Sequence, residues 1–320
     1  MKIYSAIEID YKKIKILEIY KKRRGYFLNN FINYEIENAD TEDAGLISAN
    51  LNKIIVENKI SQKNIIASLN GNKILSFNFT LPNMPTADFK SAVEYELKKV
   101  LHFPITQYIF DYIYVSYADD SGNIFLNLTA FAALEKDVKN FLEIFDKASI
   151  KVKYIECKAV SIYNNAKYMG KIWAGGAKHI LLCDISYYAI KILMILNEGI
   201  VFERTVEDLN FKNISYENSL SVIVDELKRT LDFYFAGKSL PPIDEIILSG
   251  IFSKKKGFDM IISKVTGFKS FSVTMSDLLE SGDYRFYLSE KINKLKRMNG
   301  SYFLNPLEEM WTTFGLIVNR

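Results

Sequence analysis

The fold is decided by a stretch that begins at residues 180–192 with the run ILLCDISYYAIKI and continues to Val206. An apolar run ends in Asp184, a few turn residues follow, and a second apolar run leads to the turn at residues 197–199. A third run begins at Ile200. Runs rich in Ile and Val that are separated by turn residues are typical of β-strands. The stretch therefore predicts a three-stranded meander.

The N-terminus repeats this pattern. Residues 8–16 (EIDYKKIKI) align without a gap with residues 184–192 (DISYYAIKI), and each copy then reaches a turn glycine, Gly25 or Gly199. Buried hairpins use few residue types, so two unrelated hairpins can look alike. Two copies far apart in one chain favour instead a duplicated α/β unit with a cleft between its halves. An acid that closes a buried strand just before a tight turn is also placed to hold Mg²⁺ or phosphate.

Composition sets broad limits. A chain of 320 residues buries a large core and is expected to form two domains or one large duplicated one. The net charge of +3, with acids and bases interspersed, gives no reason to expect a nucleic-acid partner. The basic runs at 21–24 and 254–256 are interpreted as solvated turns.

Cysteine usage and hydropathy point to the cytoplasm. Cys157 and Cys183 stand in apolar runs without a CxxC spacing, which fits a reducing compartment and indicates no metal site. His102 and His179 lack the partners that a zinc site or a catalytic triad needs. No apolar run approaches the ~20 residues of a membrane span, and no signal peptide precedes the first strand.

Between the two hairpin copies, the patterns alternate in a way that predicts an inserted subdomain. Thr41-Glu42-Asp43 predicts a helix N-cap, and strands are expected on both sides of the turn Asn70-Gly71. The elements predicted after these are a helix to about 101, strands at 108–114 and 124–133, a helix at 134–148 and a strand at 151–155. The loop at 170–176 marks the best domain boundary, and 281–301 is polar and charged.

Several segments resemble a known family. Asp184-Ile185-Ser186 resembles the Asp-Ile-Gly phosphate loop of actin-like ATPases. Residues 81–112, with Leu-Pro-Asn-Met, a helix ending in His-Phe-Pro and then Asp-Tyr, resemble the inserted subdomain of the type IV pilus assembly protein PilM family, in the FtsA/PilM group. Residues 225–234 look like that family's interdomain helix, 248–250 stand at its adenosine-binding turn, and 313–316 are similar to its closing helix.

The resemblance implies an α/β fold of the actin-like (ribonuclease-H-like) type, duplicated into two domains with an inserted α+β subdomain. The first domain is expected at 1–172, with the insertion at 84–150 and the C-terminal helix 303–320 returning to it. The second domain is expected at 173–302.

The family resemblance also implies a partner. We expect a cytoplasmic scaffold of a type IV pilus or related secretion platform, held peripherally at the inner membrane by the cytoplasmic N-terminal peptide of a single-span, PilN-like protein. Self-assembly into a homo-oligomer is compatible with this role. The docking residues implied are Val100, Leu101, Phe103, Phe110 and Tyr112. The alternative for each is that it packs the insertion onto the first domain.

ATP and Mg²⁺ are the cofactors of the actin-like fold, and the resemblance implies where they would bind. The positions are Glu8, Asp10, Lys12, Lys13, Asp184 (also the metal ligand), Ser186, Tyr187, Glu226, Arg229, Ser249 and Gly250. Asp10 and Ser186 replace the glycines that let backbone N–H groups approach phosphate, and Asp10 adds a repelling charge. We therefore expect nucleotide binding to be weak or lost, without turnover and without an assigned catalytic residue.

Two other readings remain open on sequence alone. The chain could be a working ATPase, a sugar-kinase-like enzyme or an ATP-binding switch of the same machinery, which would need a catalytic acid or base in the cleft. It could also resemble the cytoplasmic domain of the type II secretion protein GspL, where a membrane helix is expected to follow the domain.

Overall fold

The computed structural model describes residues 2–10, 13–36, 43–69, 73–118, 121–169, 179–196, 198–236, 240–280, 286–299, 307 and 309–318. Its strands form three sheets of six, five and three strands. The two hairpin copies lie in different sheets, as the repeat predicts.

The first sheet begins with an antiparallel meander and continues with parallel strands. Its elements are β1 (Lys2–Asp10), β2 (Lys13–Lys22), β3 (Gly25–Glu35), α1 (Ala44–Glu57) and β4 (Ile65–Leu69). Asp43 is the N-cap of α1, and its carboxylate accepts from the N–H groups of Gly45 and Leu46 at 2.9 and 3.0 Å. Thr41 and Glu42 of the predicted cap lie outside the described residues.

An insertion follows β4. Its elements are β5 (Ile74–Pro82), α2 (Phe89–Val100), β6 (Tyr108–Ala118), β7 (Ile124–Leu134) and α3 (Glu135–Lys147). The strands form an antiparallel sheet in the order β5-β7-β6, and α2 packs on it through Val93 and Leu97. The sequence placed the insertion at 84–150, but the sheet begins at Ile74, and Phe145 of α3 packs in the core beneath α1.

The second sheet repeats the plan of the first. Its elements are β9 (Ile180–Ile185), β10 (Ile190–Leu196), β11 (Gly199–Val206), α5 (Tyr216–Phe235), β12 (Glu245–Gly250), α6 (Phe258–Thr266), β13 (Lys269–Ser272) and α7 (Met275–Glu280). The strand order is β11-β10-β9-β12-β13, again a meander followed by parallel strands. Glu8 lies opposite Lys15 in the first meander, and Asp184 lies opposite Lys191 in the second, so the two repeats also share their register.

Five described elements lie outside the insertion and the two repeated units. They are β8 (Val152–Cys157), α4 (Lys158–Tyr168), β14 (Phe286–Leu288) with α8 (Glu290–Asn299) behind it, and α9 (Trp311–Gly315). The first sheet has the order β14-β3-β2-β1-β4-β8, so a strand that follows the second sheet in sequence forms an edge of the first. The sequence assigned this strand to the second domain, within 173–302. A strand of three residues is too short to show a hydrophobic periodicity. Its pairing with β3 depends on tertiary contacts.

A single hydrophobic core lies between the two sheets. It contains Leu17 and Leu28 of the first sheet, Leu182 and Leu193 of the second, and Phe314 of α9. The two helices in this layer approach closely, because a Cβ on Gly315 would lie 1.9 Å from the carbonyl oxygen of Ser161. Only glycine allows this crossing of α9 over α4.

We expect Gly315→Ala to lower the free energy of unfolding by about 2–3 kcal/mol, because the added methyl group forces α9 away from α4. Denaturant unfolding measures the loss. Gly267→Ala is the control, since Gly267 has a φ of +78° but open space around its Cβ position. That control should lose only the backbone cost of about 1 kcal/mol. Equal losses in the two variants would contradict the close crossing.

Candidate functional site

Two buried acids occupy equivalent positions in the two meanders. Glu8 of β1 is 0% exposed and Asp184 of β9 is 4% exposed. Helix α9 reaches both with consecutive hydroxyl groups. The Thr313 hydroxyl donates to Glu8 Oε2 at 2.9 Å, and the Thr312 hydroxyl donates to Asp184 Oδ2 at 3.4 Å. One short helix thus bonds to the same acid position in each half.

Glu8 is paired with two buried ammonium groups. Its Oε1 lies 3.5 Å from Lys15 Nζ and 3.4 Å from Lys158 Nζ. Burial by itself would raise the pKa of the Glu8 carboxyl, but the charges of Lys15 and Lys158 and the hydrogen bond from Thr313 outweigh burial and lower that pKa. Glu8 is therefore ionised at neutral pH and has its partners within the protein.

Asp184 also has both oxygens bonded by the protein. The Ser249 hydroxyl, at the end of β12, donates to Asp184 Oδ1 at 2.7 Å, opposite the contact from Thr312. The next residue, Gly250, has a φ of +92°, and a Cβ there would lie 2.0 Å from the carbonyl oxygen of Ile185. The approach of β12 to β9 thus explains this glycine without any ligand.

The turn after β9 uses its own side chain to satisfy its backbone. Ser186 Oγ accepts from the N–H groups of Ala189 at 3.0 Å and Tyr188 at 3.4 Å. The carbonyl groups of Tyr187 and Tyr188 accept from the N–H groups of Phe211 and Leu209 at 2.9 and 3.1 Å. N–H groups that would cradle phosphate in a glycine-containing turn are thus bonded internally.

Side chains from the two halves meet across the mouth of the cleft. Lys13 Nζ lies 2.6 Å from Glu309 Oε2 and 4.5 Å from the centre of the Tyr187 ring. Glu35, at the end of β3, pairs with Lys212 at 2.6 Å. These contacts connect the first sheet to the turn after β9, to the segment after β11 and to Glu309 just before α9.

The space left among these groups is small. A cavity of about 10 Å³ is lined by Lys15, Asp184, Ile185, Ser186, Gly250, Ile251, Glu309 and Thr312. That volume suits one water molecule. The internal bonds of Asp184 and the Ser186 turn, together with this volume, leave no room in this arrangement for ATP or for Mg²⁺ with the water molecules that it usually keeps. Among the residues with described side chains, no group of three or more His, Cys, Asp or Glu could hold a metal ion.

The other predicted nucleotide residues lie elsewhere. Glu226 of α5 binds Arg204 of the edge strand β11 at 2.6 Å and Arg229 at 2.8 Å. This places Glu226 and Arg229 two strands away from β9, and neither lines the small cavity. Asp10 ends β1, but its side chain and all of Lys12 lie outside the description.

A second concave feature lies between the insertion and the first sheet. A groove of about 350 Å³ is lined by Leu69, Ile74, Ile109 to Ile113, Phe131 to Ala133, Val138, Ile155 to Cys157 and Val160. In the described part of the chain, β6 pairs with β7 alone and β8 pairs with β4 alone. The free edges of β6 and β8 therefore border this groove, which we call the β6–β8 groove.

The five predicted docking residues divide between two places. Phe110 and Tyr112 line the β6–β8 groove and also pack on the α2 side of the small sheet. Leu101 packs on that same side. Val100 and Phe103 are 42% and 53% exposed and lie outside the groove. In this groove the wall opposite β6 is formed by β8 and α4.

Sequence reasoning missed several residues of the cleft. They are Lys15, Lys158, Glu309, Thr312 and Thr313. Sequence patterns could have identified Lys15 and the two threonines. Lysine recurs at the same place in both repeats, within Ile-Lys-Ile, and consecutive threonines interrupt an apolar helix. Both patterns put polar groups where a core is expected, which indicates a buried polar network.

Two α/β halves with matching sheets, paired acids at the cleft and a helix that bonds to both define this protein as a member of the actin-like class. The sequence model of the family described as type IV pilus assembly protein PilM matches residues 6–208, and the chain belongs to this family.

A solved structure with a TM-score well above 0.5 agrees on the fold. The structure described as the PilM-PilN type IV pilus biogenesis complex is 15% identical with a TM-score of 0.75, and the match covers 98% of this chain and 97% of that one. An actin-like ATPase-fold protein of unknown function from Bacteroides thetaiotaomicron is 12% identical, with a TM-score of 0.46 and coverages of 85% and 90%. The cytoplasmic domain of EpsL, from the type II secretion system of Vibrio cholerae, is 9% identical, with a TM-score of 0.46 and coverages of 77% and 82%.

No curated protein sequence matches this chain. Of the helices that the structure describes, none is both long enough and apolar enough to cross a bilayer.

We expect Glu8→Gln to lower the free energy of unfolding at neutral pH by about 3 kcal/mol or more, because it leaves Lys15 and Lys158 buried without their carboxylate. Folding lowers the pKa of Glu8 below its ordinary 4.5, so its contribution is complete above 4.5 and is lost as pH falls through the lowered value. The difference in unfolding free energy between wild type and Glu8→Gln should therefore become smaller at acidic pH. Denaturant unfolding at several pH values measures it.

Glu94→Gln is the control for this experiment, because Glu94 forms an exposed pair with Lys98. That substitution should leave the unfolding free energy unchanged within error at neutral pH. A Glu8→Gln variant as stable as wild type at neutral pH would contradict the buried pairing.

Proposed function

We propose that this protein is a cytoplasmic scaffold of a type IV pilus assembly platform, and that it captures an extended peptide from a PilN-like membrane protein in the β6–β8 groove. The observation that carries the proposal is the pair of free strand edges bordering an apolar groove. The capture would hold the protein peripherally at the inner membrane. Membership of the PilM family and the fold match to a PilM-PilN complex support this assignment.

The edge of β6 is suited to strand addition. The N–H group of Tyr112 donates to the carboxylate of Asp111 at 2.8 Å, a side-chain partner that an incoming strand could replace. An incoming strand could take such donors and acceptors along the edge, which gives affinity from the main chain. Alternate side chains of the peptide would then enter the groove and give specificity.

The groove offers apolar anchor positions. Ile109 lines it and is 50% exposed, whereas Ile113 packs against the central core. Its volume of about 350 Å³ lies in the range of known ligand pockets. Covering the exposed isoleucine side chain with a partner is favourable, because it removes apolar surface from water.

In this proposal nucleotide binding is weak or lost. Side chains of the protein, rather than a nucleotide, join the two halves. Support comes from the Ser186 hydroxyl on the turn N–H groups, from Lys13 bound to Glu309, and from the contacts of Asp184 with Ser249 and Thr312. A nucleotide would have to displace these internal bonds, and the free energy lost with them would reduce its net affinity.

We expect Ile109→Asp to weaken capture of the N-terminal cytoplasmic peptide of the cell's PilN-like protein about thirtyfold, because it places a charge in the apolar groove. Fluorescence anisotropy with a labelled synthetic peptide measures the affinity. Val56→Asp is the control, since Val56 is 66% exposed on α1, away from the groove. Circular dichroism checks that both variants fold.

Phe103→Asp tests the rival position at the end of α2, where the side chain is 53% exposed. We expect it to leave peptide affinity unchanged. If Phe103→Asp abolishes capture and Ile109→Asp does not, the docking surface is at α2 and the groove assignment is wrong.

For nucleotide, we expect calorimetric titration of wild type with ATP and Mg²⁺ to give a dissociation constant of about 1 mM or weaker. Asp184→Ala should abolish any Mg²⁺-dependent part of that binding. Ser186→Gly should tighten binding, because it releases the N–H groups of Tyr188 and Ala189. Low-micromolar binding with steady turnover in wild type would show that the cleft opens and serves as an ATPase site.

A further inference from the structure

The hairpin between β2 and β3 carries a run of four positively charged residues. Its turn contains Lys21, Lys22, Arg23 and Arg24, and the last three are exposed. Lys2 of β1 lies opposite Lys21 and is also exposed. We call these five residues the basic tip. The four residues of the turn alone carry more positive charge than the net +3 of the whole chain.

Three charges of the tip, on Lys22, Arg23 and Arg24, have no local counter-charge among the described residues. Exposed lysines elsewhere do have acid partners one helical turn away, as in Lys98–Glu94 at 2.8 Å and Lys139–Glu135 at 2.9 Å. A cluster of like charges without counter-charges repels itself, so an anionic partner would relieve that repulsion.

Aromatic rings stand directly beside the tip. Lys22 Nζ lies 4.8 Å from the centre of the Phe27 ring, and Phe27 packs against Tyr287 of β14 with their centres 5.1 Å apart. Tyr287 is 36% exposed. Amphipathic rings next to lysine and arginine are the composition that favours the headgroup layer of a membrane.

Helix α8 extends the same charge. It packs beside β3 and β14, and its Lys291 and Lys294 are exposed. Glu290 is also exposed, so the described side chains of this helix add one net positive charge. The positive surface is therefore wider than a single turn.

The shape of the tip selects the kind of partner. A convex hairpin end provides no enclosed site for a small anion, whereas it can touch a broad anionic surface with several side chains at once. Lys2 begins β1, and the β6–β8 groove lies near the carboxyl ends of the parallel strands β4 and β8. The tip and the groove are thus at opposite ends of the first sheet and can be occupied together.

We propose that the basic tip contacts the anionic phospholipid headgroups of the membrane. This inference rests on the proposed function, since a scaffold that captures the tail of a membrane protein works within reach of the bilayer. Peptide capture supplies the specific anchor, and the tip adds a weak electrostatic contact that orients the first sheet toward the lipid.

Vesicle flotation tests the proposal with the full chain. Wild type should float with vesicles of equal parts phosphatidylglycerol and phosphatidylcholine, should lose this binding as salt is raised, and should not float with pure phosphatidylcholine. The variant Lys22→Glu/Arg23→Glu/Arg24→Glu should bind the anionic vesicles roughly a hundredfold more weakly, since each basic residue near such a surface contributes about fivefold.

The chain contains a matched control. Lys254, Lys255 and Lys256 form an exposed run of three lysines in the second half. Their replacement by glutamate changes the net charge by the same amount and should leave vesicle binding close to wild type. Equal losses in the two triple variants would overturn the proposal, because the effect would then follow net charge rather than the tip.

Two further results separate this inference from the proposed function. The tip variant should still bind the PilN-like peptide with wild-type affinity, and Ile109→Asp should still bind anionic vesicles. Binding of wild type to pure phosphatidylcholine, or tighter binding of the tip to RNA or duplex DNA than to anionic vesicles, would overturn the lipid assignment. Failure of peptide capture with intact vesicle binding would instead overturn the groove.

Discussion

The structure depends on the contact of one short helix with two acids. Thr312 and Thr313 of α9 bond to Asp184 and Glu8, which hold the same place in the two repeats. Each acid is buried, so each needs partners inside the protein. Because the two hydroxyl groups are adjacent on one helix, the two halves are fixed relative to each other. The glycine after them, Gly315, lets that helix lie against α4.

Charge balance explains how Glu8 and Lys13 can be buried at this cleft. Burying charges is costly unless they are paired with good geometry. Here Glu8 meets Lys15 and Lys158, and Lys13 meets Glu309. Asp184 is bonded by the hydroxyl groups of Ser249 and Thr312 instead. In a nucleotide-binding protein of this fold class, phosphate and its metal ion would take part in that balance. In this structure side chains of the protein itself supply the partners of these charges.

Different parts of the protein provide rigidity and a surface for recognition. The core between the sheets and the paired cleft hold the two halves, while the insertion presents a free strand edge next to β8. An edge strand is a ready template for another chain, and folded proteins usually cover it or make it short. An eleven-residue edge such as β6 beside an apolar groove is therefore well placed to receive a partner strand.

The sequence by itself determined the duplicated α/β fold, because the repeat at Glu8 and Asp184 imposes the same strand pattern and register twice. It also placed both acids at strand ends and gave the insertion its order of elements. Only the tertiary structure decided that β14 joins the first sheet, that Thr312 and Thr313 bond to the acids, and that β8 forms the second wall of the groove. These contacts join residues far apart in the chain, and hydrophobic period and turn chemistry report only on neighbours along it.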